Sequence, residues 1–478
     1  MDFKRTFTPQ NYMIFVLGAL LNLATSTLCF AISAEEANTL EKDYQSISNK
    51  MYGLLSRSIS ECKIKFTSIN KLNNQIQNLS AENKNAIGQC LIKNNLTLIK
   101  NNVDNKNIFP IFKFLLDNNN TLVANKLYQH AENEGDKPLL SNFSFIYARY
   151  YLKRGTWNKV LEYTKDTYND LAFEDSNLAR LYTGISLQKT KQHRKALSIY
   201  TKIPETSKYY PAARLNIATA YIRQDWWTDA HINIDKILKP NKNNSSIKAD
   251  REMINRLYLV LGYSLLNKEF YRDSREAFRN IEIDSQYFNR ALLGIVLTAA
   301  NQEDYIGALN AINILKTKKD IDLSVDESHL LLPYVYEKLN QSMTASASYS
   351  DAQKYYQKRI ETVSELKKDV KNNFNAKKLL TNKNYYKTNN NVIYYSGKLP
   401  IEFVENSLRL AKLSIYANKI NNNNIKNNLS SLNHKHEKLL SETFERLFEQ
   451  RLSYLDSYMN QSRFGLARLF DNSNTVSN

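Results

Sequence analysis

At 478 residues, 42% of them hydrophobic, the chain has material for two to four ordinary domains and a large buried core. Only eleven Gly and eight Pro occur, which excludes turn-rich barrels and sandwiches and favours long helices with short connections. The excess of 65 Lys and Arg over 47 Asp and Glu, net +18, calls for acidic or anionic partners.

Lys4 and Arg5 precede an apolar run from Met13 to Ala24, and small or polar residues follow through Ala34, the layout of an export signal over residues 1–34. Cleavage would fall after Ala31 or Ala34. The alternative is an uncleaved anchor in the inner membrane, because Tyr12 to Ser33 approaches the roughly 20 residues that span a bilayer. Removal takes Cys29 away and leaves Cys62 and Cys90. In an exported chain these can form one disulfide, whose closed loop of about 29 residues stabilises by roughly 3 to 4 kcal/mol in the loop-entropy model. Two buried free thiols are the alternative.

Residues 35–107 are helical in pattern, with Met51, Leu54, Leu55 and Ile59 forming one apolar stripe. Ile108–Leu116 and Leu122–Ala131 then form a helix pair leading into a repeated array over 108–352. Gly135, Asp136 and Pro138 break the helix after it. In the array, small residues recur twelve positions apart: Gly184 with Ala196, Ala218 with Ala230, Gly262 with Ser274. Tyr200 and Phe278 follow four residues after two of them. Ala148, 36 residues before Gly184, opens a looser unit in which Gly155 makes the turn and Val160 stands at the second small site. Small atoms at such sites let antiparallel helices approach closely, and the aromatic one turn on fills the wedge between pairs.

This pattern resembles the tetratricopeptide repeat. The resemblance implies an all-α, α-α superhelical solenoid with flanking N- and C-terminal helical segments, and a role in binding proteins or peptides. A polar insertion from Pro240 to Ser246 lengthens one spacing. The fifth unit is ambiguous: Leu293 and Gly294 invite one register, Val296 with Ala308 another, so an altered turn is expected near Asn301. In the sixth, Pro333 takes the small-residue site and should kink or start its helix.

Beyond the array, Ala352–Val370 reads as one long helix within a 353–399 segment that ends in a mobile linker rich in Lys and Asn from Lys371 to Leu399. Residues 400–478 form a helical hairpin or cap: an amphipathic helix from Pro400 to about Ile420, a polar break, and a long helix from Ser431 to Phe470. Leu439, Leu440, Phe444, Leu447, Phe448, Leu452 and Leu455 suit a helix folding back on the array or a coiled coil. From Ala352 to Lys438 there are 17 basic against 6 acidic residues. That excess would meet anionic lipid, phosphorylated glycolipid or acidic protein rather than nucleic acid, or it is a solvated surface.

No nucleophile elbow, Gly-rich phosphate loop or paired metal-ligand motif occurs, so the expectation is no enzyme, no metal and no cofactor. His434 and His436 read as exposed residues at a helix start. Glu303 with Asp304, and Asp326 with Glu327, read as partners of helix dipoles. Trp226 is the better candidate than Trp227 for an exposed contact. The resemblance places a partner groove on the first helices: Phe145, Arg149 and Leu152; Leu181, Ile185, Gln188 and Lys189; Leu215, Thr219, Ile222 and Arg223; Leu259, Tyr263, Leu266 and Asn267. It lacks the Lys and Asn clamp with which some members hold a C-terminal carboxylate. The function expected is a non-enzymatic scaffold of the bacterial cell envelope, periplasmic or at the outer membrane, holding a protein partner. The alternative is a membrane-surface or glycolipid-associated protein docking through its basic C-terminal third.

Overall fold

The computed structural model describes residues 34–81, 83–134, 136–165, 167–224, 226–238, 250–318, 322–373, 385–387, 392–394, 401–418, 420 and 422–476. The expected signal and the 240–246 insertion lie outside them. Among the described residues no helix is long and apolar enough to cross a membrane.

Among the described residues the chain is all-helical apart from one short ribbon. The N-terminal segment comprises α1 (Ala34–Ser58), a 3-10 turn (Ser60–Lys63), α2 (Ile69–Asn78), α3 (Lys84–Asn94) and α4 (Leu96–Lys100). Hairpins follow: α5 (Ile108–Asp117) with α6 (Thr121–Glu134), α7 (Lys137–Lys153) with α8 (Trp157–Thr164), α9 (Phe173–Lys189) with α10 (His193–Tyr200), and α11 (Tyr210–Ile222) with α12 (Trp227–Leu238). Then come α13 (Arg251–Asn267) with α14 (Tyr271–Arg279), α15 (Phe288–Asn301) with α16 (Tyr305–Lys316), and α17 (Leu323–Lys338) with α18 (Ser342–Asn373). Tyr385–Lys387 (β1) pairs antiparallel with Val392–Tyr394 (β2), and the rest of the expected mobile linker beyond Asn373 lies outside the described residues. α19 (Ile401–Ala417) and α20 (Asn423–Val476) close the chain.

From α5 to α17 each first helix packs against its hairpin partner and against the next first helix, and each second helix packs against the first helix that follows it. The small residues sit at these crossings. Ala148, Ala196, Ala218, Ala230, Ser274, Ala308 and Ala345 are all fully buried, and Ser274 Oγ donates to the Gly262 carbonyl at 2.7 Å. Phe278 fills the wedge between Gly262 of its own hairpin and Gly294 of the next, where a side-chain carbon at either site would strike its ring.

In six of the seven hairpins the turn, among the described residues, is one motif repeated. Asn119, Gly155, Lys191, Glu269, Glu303 and Asn340 all have positive φ, between 57° and 68°. The following residue's N–H reaches back to the carbonyl five positions earlier, as in Gln192 to Leu187 and Asp304 to Ala299, which is the Schellman pattern that satisfies the last carbonyls of a helix. The turn near Asn301 is therefore not altered. Val296 and Ala308 hold the common register, and Gly294 instead accommodates the aromatic ring of the preceding hairpin. Nor does a helix start at Pro333, since α17 begins ten residues earlier, where Asp322 accepts from Val325 N.

Two boundaries at the C-terminal end move. The sixth unit's second helix and the long helix expected from Ala352 are one, α18. The expected polar break shrinks to the few residues between Ala417 and Asn423, because Ile425, Leu429 and Leu432 recur at helical spacing and are buried in the apolar cluster shared with α1 and α19, the helices that α20 touches there. That apolar cluster is common to the N-terminal segment, the first hairpins and α19. Farther along, α20 packs against α18 through Leu440, Phe444, Phe448 and Leu455. One helix thus touches both the N-terminal segment and the last hairpin of the row. Cys62 and Cys90, both fully buried, are disulfide-bonded with Cα atoms 5.5 Å apart, tying the 3-10 turn to α3.

Candidate binding groove and the buried ionic cluster

Stacking hairpins side by side aligns their first helices, so positions read from the repeat fall on neighbouring helices. They divide by what they touch. Leu181, Leu215, Leu259 and Leu266 are buried in the clusters between helices and face no solvent. Gln188 accepts from Tyr200 Oη and donates to the Asn216 carbonyl, both at 2.9 Å, and Tyr263 Oη donates to the Arg290 carbonyl at 2.8 Å. These two polar side chains tie one first helix to the next. Burial also holds the Tyr263 hydroxyl neutral, well above its ordinary pKa. Phe145 stacks on Tyr182 at 6.0 Å, and Thr219 bonds its own helix at the Leu215 carbonyl.

Leu152, Ile185 and Ile222 are half-buried, whereas Arg149, Lys189, Arg223 and Asn267 are exposed. A ligand approaching these helices would meet aliphatic edges flanked by cations. At the start of the row, Lys113, Arg149, Tyr150, Lys153 and Arg154 line a small concavity together with Asp117 and Glu405. Lys153 lies 3.6 Å from Asp117, while Arg154 pairs with Glu41 at 3.1 Å and covers the Tyr150 ring at 3.7 Å. Trp226 is exposed and stacks on Tyr221, and Trp227 is half-buried under Lys268, 4.7 Å from its ring.

Asp304 takes the helix-start role expected of it: it accepts from Gly307 N at 2.8 Å and pairs with Arg275. The backbone bond first, and then the guanidinium, hold its carboxyl below the ordinary range. Asp326 lies in the first turn of α17 as expected, with Glu327 beside it, but their carboxyls are not left at a solvated helix end. Both are buried where α17, α18 and α20 meet. Asp326 is ion-paired with Arg451 of α20 and lies 3.5 Å from Arg359 of α18. Its carboxylate accepts from Tyr355 Oη and its carbonyl from Tyr356 Oη, each at 2.7 Å. Burial pushes Glu327 up to about 8. His329 stacks on Tyr355 with centroids 3.6 Å apart and is pushed down to about 4 by burial and by Lys316.

His436 is likewise buried rather than exposed, because α20 begins thirteen residues before it, and burial lowers it to about 4. Among the described residues no group of three His, Cys, Asp or Glu could hold a metal ion. The ionic cluster is sealed by packing and its acid is matched by two guanidinium groups, so its chemistry is that of a clamp on α20. No protein-family model matches the chain, and no curated protein matches it.

Proposed function

We propose that the hairpin row is a tetratricopeptide-like superhelical solenoid that acts as a non-enzymatic scaffold of a bacterial cell envelope, exported to the periplasm or outer membrane, and holds a protein segment along its first helices. The observation that carries this reading is the unbroken row of first helices, which leaves Ile185 and Ile222 half-buried beside exposed Arg149, Lys189 and Arg223. A segment with aliphatic anchors and acidic flanks fits that surface, since apolar contacts supply affinity and the cations fix register. Photo-crosslinkers placed at Ile185 and Ile222 in the native envelope should capture the same protein, and Ile185→Asp with Ile222→Asp should abolish its capture while the fold persists. Capture of lipid or polysaccharide alone would overturn the scaffold.

A further inference from the structure

Six of the thirteen large apolar side chains that stand exposed among the described residues gather on one edge of the hairpin row, and their exposure runs from 46% to 89%. Leu122, Phe270, Ile306 and Met343 each lie one or three residues past the positive-φ residue of a hairpin turn, and Trp226, whose N–H reaches the Tyr221 carbonyl, lies just before the start of α12. Phe470 joins them from α20, which runs antiparallel to α18: Gly465 abuts Tyr349, and Arg468 pairs with Glu337 in the last turn of α17. Neighbouring helices pack roughly 10 Å apart, so the four successive turns carrying Trp226, Phe270, Ile306 and Met343 set these tips at similar intervals along the edge, with Leu122 standing apart beyond two hairpins whose turns carry no exposed large apolar side chain. An apolar group at the tip of a turn cannot be covered by the adjacent hairpin. Recurrence at corresponding positions sets these residues apart from apolar side chains scattered singly over a surface.

Exposed cations share the same turns: Lys153, Lys189, Lys191, Arg223, Lys268 and Lys338, against exposed Asp117, Glu269 and Glu303. The chain also enters the described structure beside this edge. Glu41 of α1 pairs with Arg154, next to the turn residue Gly155, and Tyr44 Oη donates to the carbonyl of Asn118, next to the turn residue Asn119. The apolar run Met13–Ala24 lies ten residues before α1 in sequence.

We propose that this edge docks on an anionic phospholipid bilayer, with Trp226, Phe270, Ile306, Met343 and Phe470 entering the boundary between headgroups and acyl chains. Lysine and arginine side chains on the same turns reach the phosphates, as long cationic side chains do at interfaces. Lys189 and Arg223 border both the edge and the partner groove, but the apolar residues differ, Ile185 and Ile222 in the groove against Trp226 and Phe270 on the edge, so the row could carry a protein segment while its edge rests on lipid.

The test uses the full chain with vesicles of phosphatidylglycerol and phosphatidylcholine, some carrying bromine on the upper acyl chain. Tryptophan fluorescence should be quenched by the brominated lipid, and Trp226→Phe should remove most of that quenching. The triple variant Phe270→Asp, Ile306→Asp and Met343→Asp should weaken vesicle binding on the order of 100-fold, the effect of losing several inserted apolar groups. Ile283→Asp with Ile314→Asp, exposed apolar sites toward the opposite edge, should leave binding unchanged. Equal quenching in Trp226→Phe, or binding by the triple variant that matches wild type, overturns the proposal. So does a dimer in sedimentation without vesicles that the triple variant dissolves, since a second copy would then cover the edge.

Discussion

The ring of Tyr200 occupies the space that a side chain at Gly184 would need, so the first and second helices of one hairpin touch through an aromatic face laid on bare backbone. Tyr200 is 1% exposed and its hydroxyl donates to Gln188 one turn further along the same first helix, so the ring cannot swing away without breaking that bond. Gly184→Leu should therefore cost about 3 kcal/mol, the upper part of the range for overpacking a tight core. Gly53 is the control: a Cβ there meets only the far end of Lys93, so Gly53→Ala, in the interior of α1, should not destabilise and should gain up to about 1 kcal/mol in urea unfolding. Equal stability of the two variants would remove the close helix crossing from the account.

The turns within the hairpins carry a cost that most natural sequences avoid by using glycine. Of the six described residues with positive φ only Gly155 is glycine; Lys191, Glu269 and Glu303 bear side chains that crowd the backbone there. Glu303→Gly and Lys191→Gly should each stabilise by about 0.5 to 1 kcal/mol, less what glycine gives back by loosening the unfolded chain. Gly155→Ala should destabilise by about 1 kcal/mol. Chemical denaturation of the three variants checks the sign of each, and a gain from Gly155→Ala would contradict the shared turn geometry.

The hairpin register was legible because it is written locally, as small residues twelve positions apart with an aromatic one turn later. What stayed hidden depends on distant chain. Asp326 and Glu327 look like residues of a helix start, and nothing within several turns announces Arg359 and Arg451, the second of them 125 residues away. The Asn run from 421 to 424 reads as a break because asparagine is a poor helix former. α20 starts inside that run, at Asn423, and the three apolar residues that carry it on to Ser431 acquire meaning only against the N-terminal core they join. Several groove positions read from the repeat proved to be core for the same reason: Leu181 and Leu266 line the seam between neighbouring first helices, and only the next hairpin reveals that.

Arg451 joins the far half of α20 to the row through a carboxylate that is itself fully buried. Removing one partner of a buried pair leaves the other charge without compensation, so Arg451→Met should cost about 3 to 5 kcal/mol. Asp326→Asn strands both Arg359 and Arg451 and should cost at least as much. Hydrogen exchange should locate the loss in α20 after about Leu440, with the segment around Leu429 retaining protection through the N-terminal cluster. Uniform loss of protection along α20 would show that its two anchorages are not separable.

Stability should depend on pH through Glu327, with a sign fixed by burial. Its carboxyl titrates near 4.5 when exposed and is pushed up to about 8 in the fold, so between those values the folded chain holds a proton that the unfolded chain releases. The contribution of the neutral carboxyl is complete below pH 4.5 and is lost as pH rises through 8, at up to about 1.4 kcal/mol per unit. His329 and His436, lowered to about 4, act oppositely: the unfolded chain binds protons there first, so their effect raises stability with pH between 4 and 6.5. Above pH 6.5 the two histidines are neutral in both states and Glu327 alone of the three still titrates. Unfolding midpoints in urea should therefore fall from pH 6.5 to 8, and Glu327→Gln, which keeps the shape and never ionises, should flatten that decline. A decline of the same slope in Glu327→Gln would assign it to another buried group.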